Sequence, residues 1–444
     1  MAQRQPTPTE LAVAEARKLK KEQNRIKAQQ EEEARSKILP RPWVKFADPN
    51  PGDLTVRVMS WNLLAQCLIR RALFPASDCL KAAQRENMLY REILSHNADV
   101  CCMQEVDRTE KLFPVLEEAG YALNYATGPR KHHGCLIAYK KDIFEQIQER
   151  KIQYDLQEVH EEGTERARRG SSFVTRNIAF MLALRRSKGE DDGIIIATTH
   201  LFWHPAYAYE RARQVTILLR EVSAFRKQHG LDHWPCIIAG DFNFHPSDSV
   251  YSLIVGDPLL PHQLERLATS RVVHVTIDPE VPITSPKLVV EDDEDGDESD
   301  PDRIITNSRL ATEADGLLTD EELVQMIKDI GSPISVYDQG LRNDHNPEDL
   351  PLTHGTHSPI PQGRLGGFEP NFTSYTHYWK CTLDYIFVLD PPDRKVGILG
   401  IAKPHPAASL EPGLPHYGIG GSDHISLAAD LAWSSISQPS HNLK

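Results

Sequence analysis

The sequence predicts an α/β fold in which sheets pack face to face and helices cover the outside. Short apolar segments bounded by polar residues or glycine recur along the chain, and some are separated by helical patterns. One helix separates the first two apolar segments, as in a βαβ unit. Closely spaced pairs from residue 121 onward are typical of antiparallel hairpins. The presence of both kinds of connection favours a layered α/β architecture.

The predicted strands are short, apolar and buried. They are 54–61, 98–103, 134–139, 178–184, 193–199, 236–239 and 382–389, and the chain closes on 421–431. Helical patterns occupy 81–95 and 207–228. A further helix is predicted over 319–330, with Thr319 at its N-cap and Glu322 three residues later in a capping box.

Composition divides the chain into an arm, a catalytic domain and a tail. Residues 1–40 are predicted to be a charged arm, with a helix from about Thr9 to Lys37 whose apolar face is too thin to pack on a core. The catalytic domain is predicted over 41–435, with a disordered acidic insertion at about 280–316. Residues 436–444 are the tail. We expect the basic residues of the arm to offer contacts to RNA or protein; they are Arg17, Lys18, Lys20, Lys21, Arg25 and Lys27.

The net charge of −13 argues against a simple basic nucleic-acid binder, but one block accounts for most of it. Residues 291–302 carry nine acidic side chains, and the remainder of the chain is close to −4. Seven cysteines without paired metal-type spacing favour a reducing compartment over a disulfide framework. No apolar stretch is long enough to span a bilayer, and no secretory signal is evident. We therefore expect an intracellular protein, cytoplasmic, nuclear or both, with no membrane partner.

Polar side chains follow the predicted strands where each strand ends. They are Asn62, Glu105, His200, Asp241, Asn243, Asp423 and His424, with Asp384 inside the apolar run 382–389. A buried carboxylate such as Asp384 needs a partner, and a histidine is the obvious candidate. Sheet edges are where α/β enzymes assemble their sites, so the pattern predicts an active site there.

The residue types favour metal-assisted hydrolysis of a phosphodiester. Oxygen donors from Asn62, Glu105 and Asp423 suit Mg²⁺, with Mn²⁺ as a substitute. In this hypothesis Asp241 activates the attacking water. His200 and His424 donate to the phosphoryl oxygens. Asp384 would hold the tautomer of His424 and favour its imidazolium form.

Six motifs occur in an order that resembles the endonuclease/exonuclease/phosphatase superfamily. They are Ser60-Trp61-Asn62, Gln104-Glu105, Thr199-His200-Leu201, Gly240-Asp241-Phe242-Asn243, Leu383-Asp384-Tyr385 and Ser422-Asp423-His424. The resemblance covers roughly 54–431 apart from the acidic insertion. It implies a four-layer α/β/β/α sandwich, two packed mixed sheets flanked by helices. It also implies roles for the motif residues: Asn62 and Glu105 at the metal, Asp241 on the water, Asn243 and His200 on the scissile phosphate, and Asp384 paired with His424.

Within the superfamily the chain is most similar to the deadenylase-like RNA exonucleases, above all the fungal Ngl type. Segments 62–66, 70–75, 199–205 and 372–376 carry this likeness. It implies a Mg²⁺-dependent 3′-to-5′ exoribonuclease acting on RNA with a free 3′ end, in ribosomal RNA 3′-end processing or in poly(A) and mRNA trimming.

In that branch a proline and an aromatic residue sandwich the terminal base, and Pro205 and Trp379 fall at the matching positions. Trp203, His204 and Asn177 complete the expected substrate-binding set. Because His204 stands where adenine-specific relatives often carry aspartate, poly(A) preference is in doubt. Basic residues that could guide the strand are Arg130, Lys131, Arg166, Arg168, Arg169 and Arg176. No leucine period of 20–29 residues is present, so a leucine-rich-repeat recruitment domain is not expected.

Two rival functions remain open. The same catalytic set could act on a 2′-linked or cyclic RNA end, an inositol phosphate, a sphingolipid headgroup or abasic DNA. Membrane-binding segments for the lipid substrate are not evident, and Thr199-His200 stands where the DNA-repair branch usually has a tyrosine-asparagine pair. The third interpretation is an inactive scaffold that binds RNA or protein, which the complete catalytic set disfavours.

Overall fold

Two mixed β-sheets form the centre of the molecule in a computed structural model that describes residues 8–187, 192–283, 306–344 and 351–435. The first sheet has seven strands: β1 (Trp43–Lys45), β2 (Asp53–Asn62), β3 (Val100–Val106), β4 (Tyr121–Thr127), β5 (Gly134–Lys140), β16 (Gly397–Ala402) and β17 (Leu427–Ser434). Their order is β1-β16-β17-β2-β3-β5-β4. Within it, β2 and β3 run parallel, as the predicted βαβ unit requires, and the other pairs are antiparallel.

The second sheet has six strands: β6 (Phe144–Gln153), β7 (Ile178–Arg186), β8 (Gly193–His200), β9 (Cys236–Asp241), β12 (Ile334–Ser335) and β15 (Asp384–Leu389). Their order is β12-β15-β9-β8-β7-β6, and only β8 and β9 run parallel. Two short hairpins stand apart from both sheets: β10 (Val272–His274) with β11 (Ser308–Leu310), and β13 (Ser374–Tyr375) with β14 (Lys380–Cys381). The predicted strands are therefore confirmed, with ends shifted by a few residues.

Eleven helices occur in the described residues, most of them outside the sheets. They are α1 (Pro8–Arg35), α2 (Ala82–Ser95), α3 (Thr109–Glu118), α4 (Glu165–Arg169), α5 (Ala208–Gln228), α6 (Ser249–Val255), α7 (Pro261–Thr269), α8 (Asp320–Ile330), α9 (Val336–Arg342), α10 (His354–His357) and α11 (Ala407–Leu410). The predicted capping box of α8 is confirmed, because Thr319 accepts a hydrogen bond from the Glu322 backbone N–H and Glu322 accepts one in return. None of these helices is both long and apolar enough to cross a bilayer.

Alternation of side chains along the strands produces the layers. In β2, Val56 and Val58 enter the core between the sheets, whereas Met59 and Trp61 face the layer of α2 and α3. In β8, Ile194 and Ile196 face the first sheet while Ile195 packs toward α5. These central strands thus have two buried faces, which explains their continuous apolar runs. The predicted four-layer α/β/β/α sandwich is confirmed.

One prediction about the acidic insertion is wrong at its C-terminal end. Residues 284–305 lie outside the described residues, as does the tail at 436–444, but residues 306–316 are ordered. Arg309 on β11 donates to Asp315 at 2.7 and 2.8 Å and to Asp278 at 2.7 Å. The acidic composition of residues 306–316 predicted disorder, because composition alone does not reveal that Asp315 and Asp278 have an arginine partner.

The arm forms the expected helix, α1, two residues shorter at its C-terminal end than predicted. The basic side chains between Arg17 and Lys27 are exposed. Leu39, placed in the arm by the sequence, instead packs beside Tyr375 and Leu410, and its backbone N–H donates to Ile419. Contacts of the arm with RNA or protein stay a prediction.

Candidate active site

The predicted site residues lie where parallel strands of the two sheets end. In the first sheet Asn62 aligns with Gln104, the residue before Glu105. In the second sheet Asp241 aligns with His200 on one side and with Asp384 on the other. Each parallel pair brings its carboxyl ends together, and face-to-face packing of the sheets places the two sets next to each other.

Asn62 joins the two sheets chemically. Its side-chain Nδ2 donates to Glu105 Oε1 at 2.9 Å and to Asp241 Oδ2 at 3.0 Å, across the seam. Its Oδ1 accepts from the backbone N–H of Leu64 at 3.0 Å, which fixes the amide orientation. A second link lies deeper, where Gln104 donates to Thr198 at 2.9 Å. The distance between the sheets at the site is therefore set by buried side-chain hydrogen bonds.

His424 and Asp384 form the pair that the sequence predicted. His424 Nδ1 lies 2.8 Å from Asp384 Oδ2, and both residues are buried. The indole N–H of Trp61 donates to the His424 carbonyl at 2.9 Å, and residue 424 forms a β-bridge with Ser374. The imidazole is thus held with Nε2 pointing toward Asp241, whose Oδ2 lies 3.7 Å away.

Asp241 lies between two imidazoles, because His200 Nε2 is 3.6 Å from the same Oδ2 atom. Burial and the nearby Asp384 raise the pKa of the Asp241 carboxyl above its usual value. Burial lowers the pKa of His200. For His424 burial would do the same, but Asp384, Asp423 and Asp241 together hold its pKa well above its usual value. His424 is therefore suited to donate a proton and His200 to remain neutral.

The amides of Asn243 and Asn177 flank this centre. Asn243 has a left-handed backbone, φ +53°, and its N–H donates to Asp241 Oδ1 at 3.0 Å. Its side chain donates to the Leu201 carbonyl at 2.9 Å. Asn177 donates to the His200 carbonyl at 2.8 Å. Both amides therefore brace the backbone around His200, and their contacts with a substrate phosphate stay predictions.

Carboxylates for a metal ion gather on the first-sheet side. Glu105 also has a left-handed backbone, φ +54°, and its Oε2 accepts from the Ala65 N–H at 2.8 Å. The Ser422 hydroxyl donates to the Asn62 carbonyl at 2.7 Å, which fastens the Asp423 turn to the end of β2. Burial and then, among other neighbours, Glu105 raise the pKa of Asp423. A buried and a half-buried carboxylate that raise each other's proton affinity fit a divalent cation.

A second group could hold a metal by geometry alone. Ligand atoms of Asp241, Asp384 and His424 all lie within 4.8 Å of one another. We assign this group to proton handling, because His424 Nδ1 is already engaged with Asp384 and the set offers only two carboxylates for a hard cation.

The predicted base-contacting residues differ in exposure. Trp203 is 39% exposed and Pro205 is exposed. Trp379 is half-buried, donates to Ser374 at 3.1 Å and packs edge-to-face on Phe74 at 6.0 Å. Direct base contact by His204 is not supported, because its ring is buried between Trp203 and Tyr207.

Sequence reasoning missed three residues that the structure places at the site. His133 is buried with its ring 6.3 Å from that of His200. Arg85 is buried and donates to the carbonyls of Leu63, Leu64 and Gly421, in the two loops next to Asn62 and Asp423. Arg211 binds the loop that carries Pro205. Of the three, only His133 had a sequence signal, because it directly precedes a predicted strand.

Comparisons with known proteins identify the family. The model of the Endonuclease/Exonuclease/phosphatase family matches residues 59–424. A probable RNA exonuclease of Schizosaccharomyces pombe is 30% identical over 401 residues, 85% of this chain and 76% of the relative. RNA exonuclease NGL2 of Saccharomyces cerevisiae is 29% identical, over 88% of this chain and 81% of the relative.

Among solved structures, ANGEL2, a 2′,3′-cyclic phosphatase in complex with adenosine-2′,3′-vanadate, has the same fold. Its TM-score is 0.58 at 20% identity, and the match covers 90% of this chain and 100% of ANGEL2. The family match includes the whole second sheet and the predicted metal and catalytic residues from Asn62 to His424. The chain belongs to the endonuclease/exonuclease/phosphatase family of hydrolases.

Proposed function

We propose that this protein is a Mg²⁺-dependent exoribonuclease that hydrolyses RNA from its 3′ end. The observation that carries the proposal is the complete catalytic set at the seam of the sheets, in a chain whose extended similarity is to RNA exonucleases. The natural RNA is proposed to be a ribosomal RNA precursor or a trimmed mRNA end.

In this mechanism Asp241 orients the attacking water and accepts its proton. Its Oδ2 atom lies 3.6 Å from His200 Nε2 and 3.7 Å from His424 Nε2, so these neighbours position the carboxylate before substrate binds. His424, kept protonated by Asp384, donates to a phosphoryl oxygen as negative charge develops. His200 and Asn243 contact the other phosphoryl oxygens.

Glu105 and Asp423 would hold Mg²⁺, with Asn62 beside them. The ion supplies neutralisation of the phosphate and of the leaving oxygen. Mn²⁺ should substitute, since it accepts the same oxygen donors. In this structure Asn62 Oδ1 accepts a hydrogen bond from the Leu64 backbone N–H, while the Asn62 Nδ2 group donates to Glu105 and Asp241. The main effect of Asn62 is therefore to position these two carboxylates.

The terminal base would stack between Pro205 and Trp379. Trp379 lies in the β13–β14 hairpin, which reaches the site through the bridge between Ser374 and His424. Stacking of this kind accepts any base, which suits an enzyme without strict adenine preference.

The test is cleavage of 5′-labelled RNAs that end in A, in U or in mixed sequence, with Mg²⁺ or with EDTA. We expect a ladder that shortens from the 3′ end, needs the metal and is lost in Asp241→Asn. The matched control is Asp430→Asn, since Asp430 ion-pairs with Arg57 on β2, away from the catalytic set. Internal cuts, or cleavage unchanged in EDTA or in Asp241→Asn, would contradict the proposal.

The second candidate is a phosphodiesterase for a 2′-linked or cyclic RNA end, favoured by the likeness to a 2′,3′-cyclic phosphatase. An RNA ending in a 2′,3′-cyclic phosphate distinguishes the two. Opening of the cyclic end without chain shortening would support this candidate over the exoribonuclease.

A further inference from the structure

A cationic pocket adjoins the catalytic set on the side away from His424. We use "cationic pocket" for the cleft whose polar lining includes Lys131, His133, Arg176 and Asn177, bordered by Glu105 and His200. Lys131 and Arg176 are half-buried, and both line this cleft. The mechanism above uses none of these side chains except the two at the border.

Strand order places this pocket at one end of a row of polar groups. In the second sheet, Asp384, Asp241 and His200 lie on successive strands β15, β9 and β8, and the next strand, β7, begins directly after Asn177. In the first sheet, Asn62, Glu105 and His133 follow the same direction along β2, β3 and β5. The proton-donating pair therefore lies at one end of the cleft, the metal carboxylate in the middle, and the cationic pocket at the other end.

Two tight backbone contacts build the pocket walls. Residue 128 must be glycine, because a Cβ there would lie 2.0 Å from the Arg176 carbonyl oxygen and 3.4 Å from the Lys131 side chain. Arg176 has a left-handed backbone, φ +56°, and its N–H donates to Asp155 at 2.7 Å. Asp155 also accepts from the N–H and hydroxyl of Thr175. The loops that carry the two cations are thus held against each other before a ligand binds.

Three other basic residues that were predicted to guide RNA are ion-paired with carboxylates. Arg166 ion-pairs with Asp278 at 2.9 Å, Arg168 with Glu158 at 3.0 Å and Arg169 with Glu165 at 2.6 Å. These arginines are neutralised by carboxylates at 2.6–3.0 Å. Lys131 and Arg176 line a pocket that also includes the metal carboxylate Glu105.

We propose that the cationic pocket binds the phosphodiester one linkage upstream, on the 5′ side, of the scissile bond. The assignment rests on the proposed exoribonuclease function and adds a rule for substrate selection. With the terminal base on Trp379, whose hairpin lies beside His424, and the scissile phosphate at the metal, the rest of the RNA would leave past Glu105. The first group it brings there is a phosphodiester monoanion, which Lys131 and Arg176 would bind as ionic partners. A dinucleotide lacks this phosphate, so efficient cleavage begins at the trinucleotide.

The test is a chemical double-mutant cycle on the full-length enzyme with Mg²⁺. Two trinucleotides are compared, one natural and one whose upstream linkage is an uncharged methylphosphonate, each with the scissile linkage unchanged. In the wild type we expect the neutral linkage to lower kcat/KM about tenfold to a hundredfold, the usual range for charge-assisted contacts. In Lys131→Met/Arg176→Met the natural substrate should lose a similar factor, and the neutral linkage should cost less than about twofold.

Two controls keep the outcome interpretable. Arg185 lies near the opposite end of β7 and ion-pairs with Glu145. In Arg185→Met the methylphosphonate linkage should therefore lower kcat/KM by the same factor as in the wild type. Binding of both trinucleotides to Asp241→Asn by fluorescence anisotropy reads the same contact without cleavage, and circular dichroism confirms folding of each variant. If the methylphosphonate linkage lowers kcat/KM by the same factor in the wild type and in the double variant, the pocket assignment is wrong. If the wild type shortens no RNA at all, the proposed function itself fails.

Discussion

At the scale of single residues, Asp241 is the point where the two sheets meet chemically. The same carboxylate oxygen accepts from Asn62 of the first sheet and lies within 3.7 Å of His200 and His424. One oxygen is thus shared among an amide and two imidazoles with different proton affinities. A small displacement of either sheet would change which of the three it contacts most closely.

Asp384→Asn should lower single-turnover cleavage about 10²- to 10⁴-fold, the usual contribution of one positioned acid or base. The reason is that Asp384 Oδ2, 2.8 Å from His424 Nδ1, sets the tautomer and charge of that imidazole. Quenched-flow cleavage with saturating enzyme measures the effect, and Asp430→Asn serves again as the control. Full activity in Asp384→Asn would show that His424 acts without its carboxylate partner.

Sequence reasoning worked well for residues at strand ends and poorly for residues that act from helices. Asn62, Asp241 and His200 could be predicted because each follows a buried apolar run. Arg85 and Arg211 could not, because an arginine in a helical pattern usually means a solvated face. Both are buried because backbone carbonyls of distant loops accept from them, and only the tertiary fold brings those loops near.

At the scale of elements, α5 contributes a polar buried face to the site. Glu210 accepts from the Ser172 N–H, Gln214 accepts from the Phe202 N–H, and Arg211 donates to the carbonyls of His204 and Pro205. One helix therefore holds both loops that border the cleft on the β7 and β8 side. The burial of α5 is explained by these hydrogen bonds to the two loops as well as by its packing on α8.

Arg211→Met should raise the KM for RNA about tenfold with kcat changed less than about twofold, within the range that stacking of one base contributes. Loss of the bonds to the loop frees Pro205, whereas the catalytic set stays in place. Steady-state kinetics on a 3′-labelled oligonucleotide separate the two constants.

Arg226→Met is the matched control, because Arg226 is also a buried arginine of α5 but donates to the Asp390 carbonyl, away from Pro205. A fall in kcat with unchanged KM in Arg211→Met would assign this arginine to the chemical step instead.

Ordered structure at 306–316 also belongs to this scale. A segment rich in acid, serine and proline was expected to stay unfolded, yet β11 pairs with β10 in the described residues. The deciding contact is the double hydrogen bond of Arg309 with Asp315, supported by Arg166 on α4 at 3.4 Å. Composition alone does not find the partners outside the segment, because Arg166 and Asp278 are distant from Asp315 and Arg309 in sequence.

At the scale of the whole molecule, Glu369 is one of several buried acids whose raised pKa makes stability depend on pH. Glu369 accepts from the Tyr251 hydroxyl at 2.8 Å, and burial followed by the charge of Asp338 raises its pKa to about 8. In the unfolded chain it would ionise near its ordinary value of 4.5. The folded state therefore binds the proton more tightly, and this contribution is fully present below about pH 4.5 and is lost as pH rises through about 8.

Glu369→Gln should remove this pH dependence, since glutamine resembles the protonated acid. We expect similar Tm values for wild type and variant near pH 5 and a higher Tm for the variant near pH 9. Scanning calorimetry at both values checks it, with exposed Glu265→Gln on α7 as the control. Parallel Tm curves for Glu369→Gln and wild type would mean that Glu369 is ionised in the folded protein.

The order of strands in the first sheet has a consequence in time. β17 lies between β16 and β2, so the last strand of the described residues pairs with one of the first. Asp423 and His424 lie just before β17 in the chain. The pairing of His424 with Asp384, and the attachment of the Asp423 turn to the end of β2 through Ser422, therefore cannot form until residues far along the chain have been synthesised. The seam of the two sheets is thus among the last parts of the described fold to be completed.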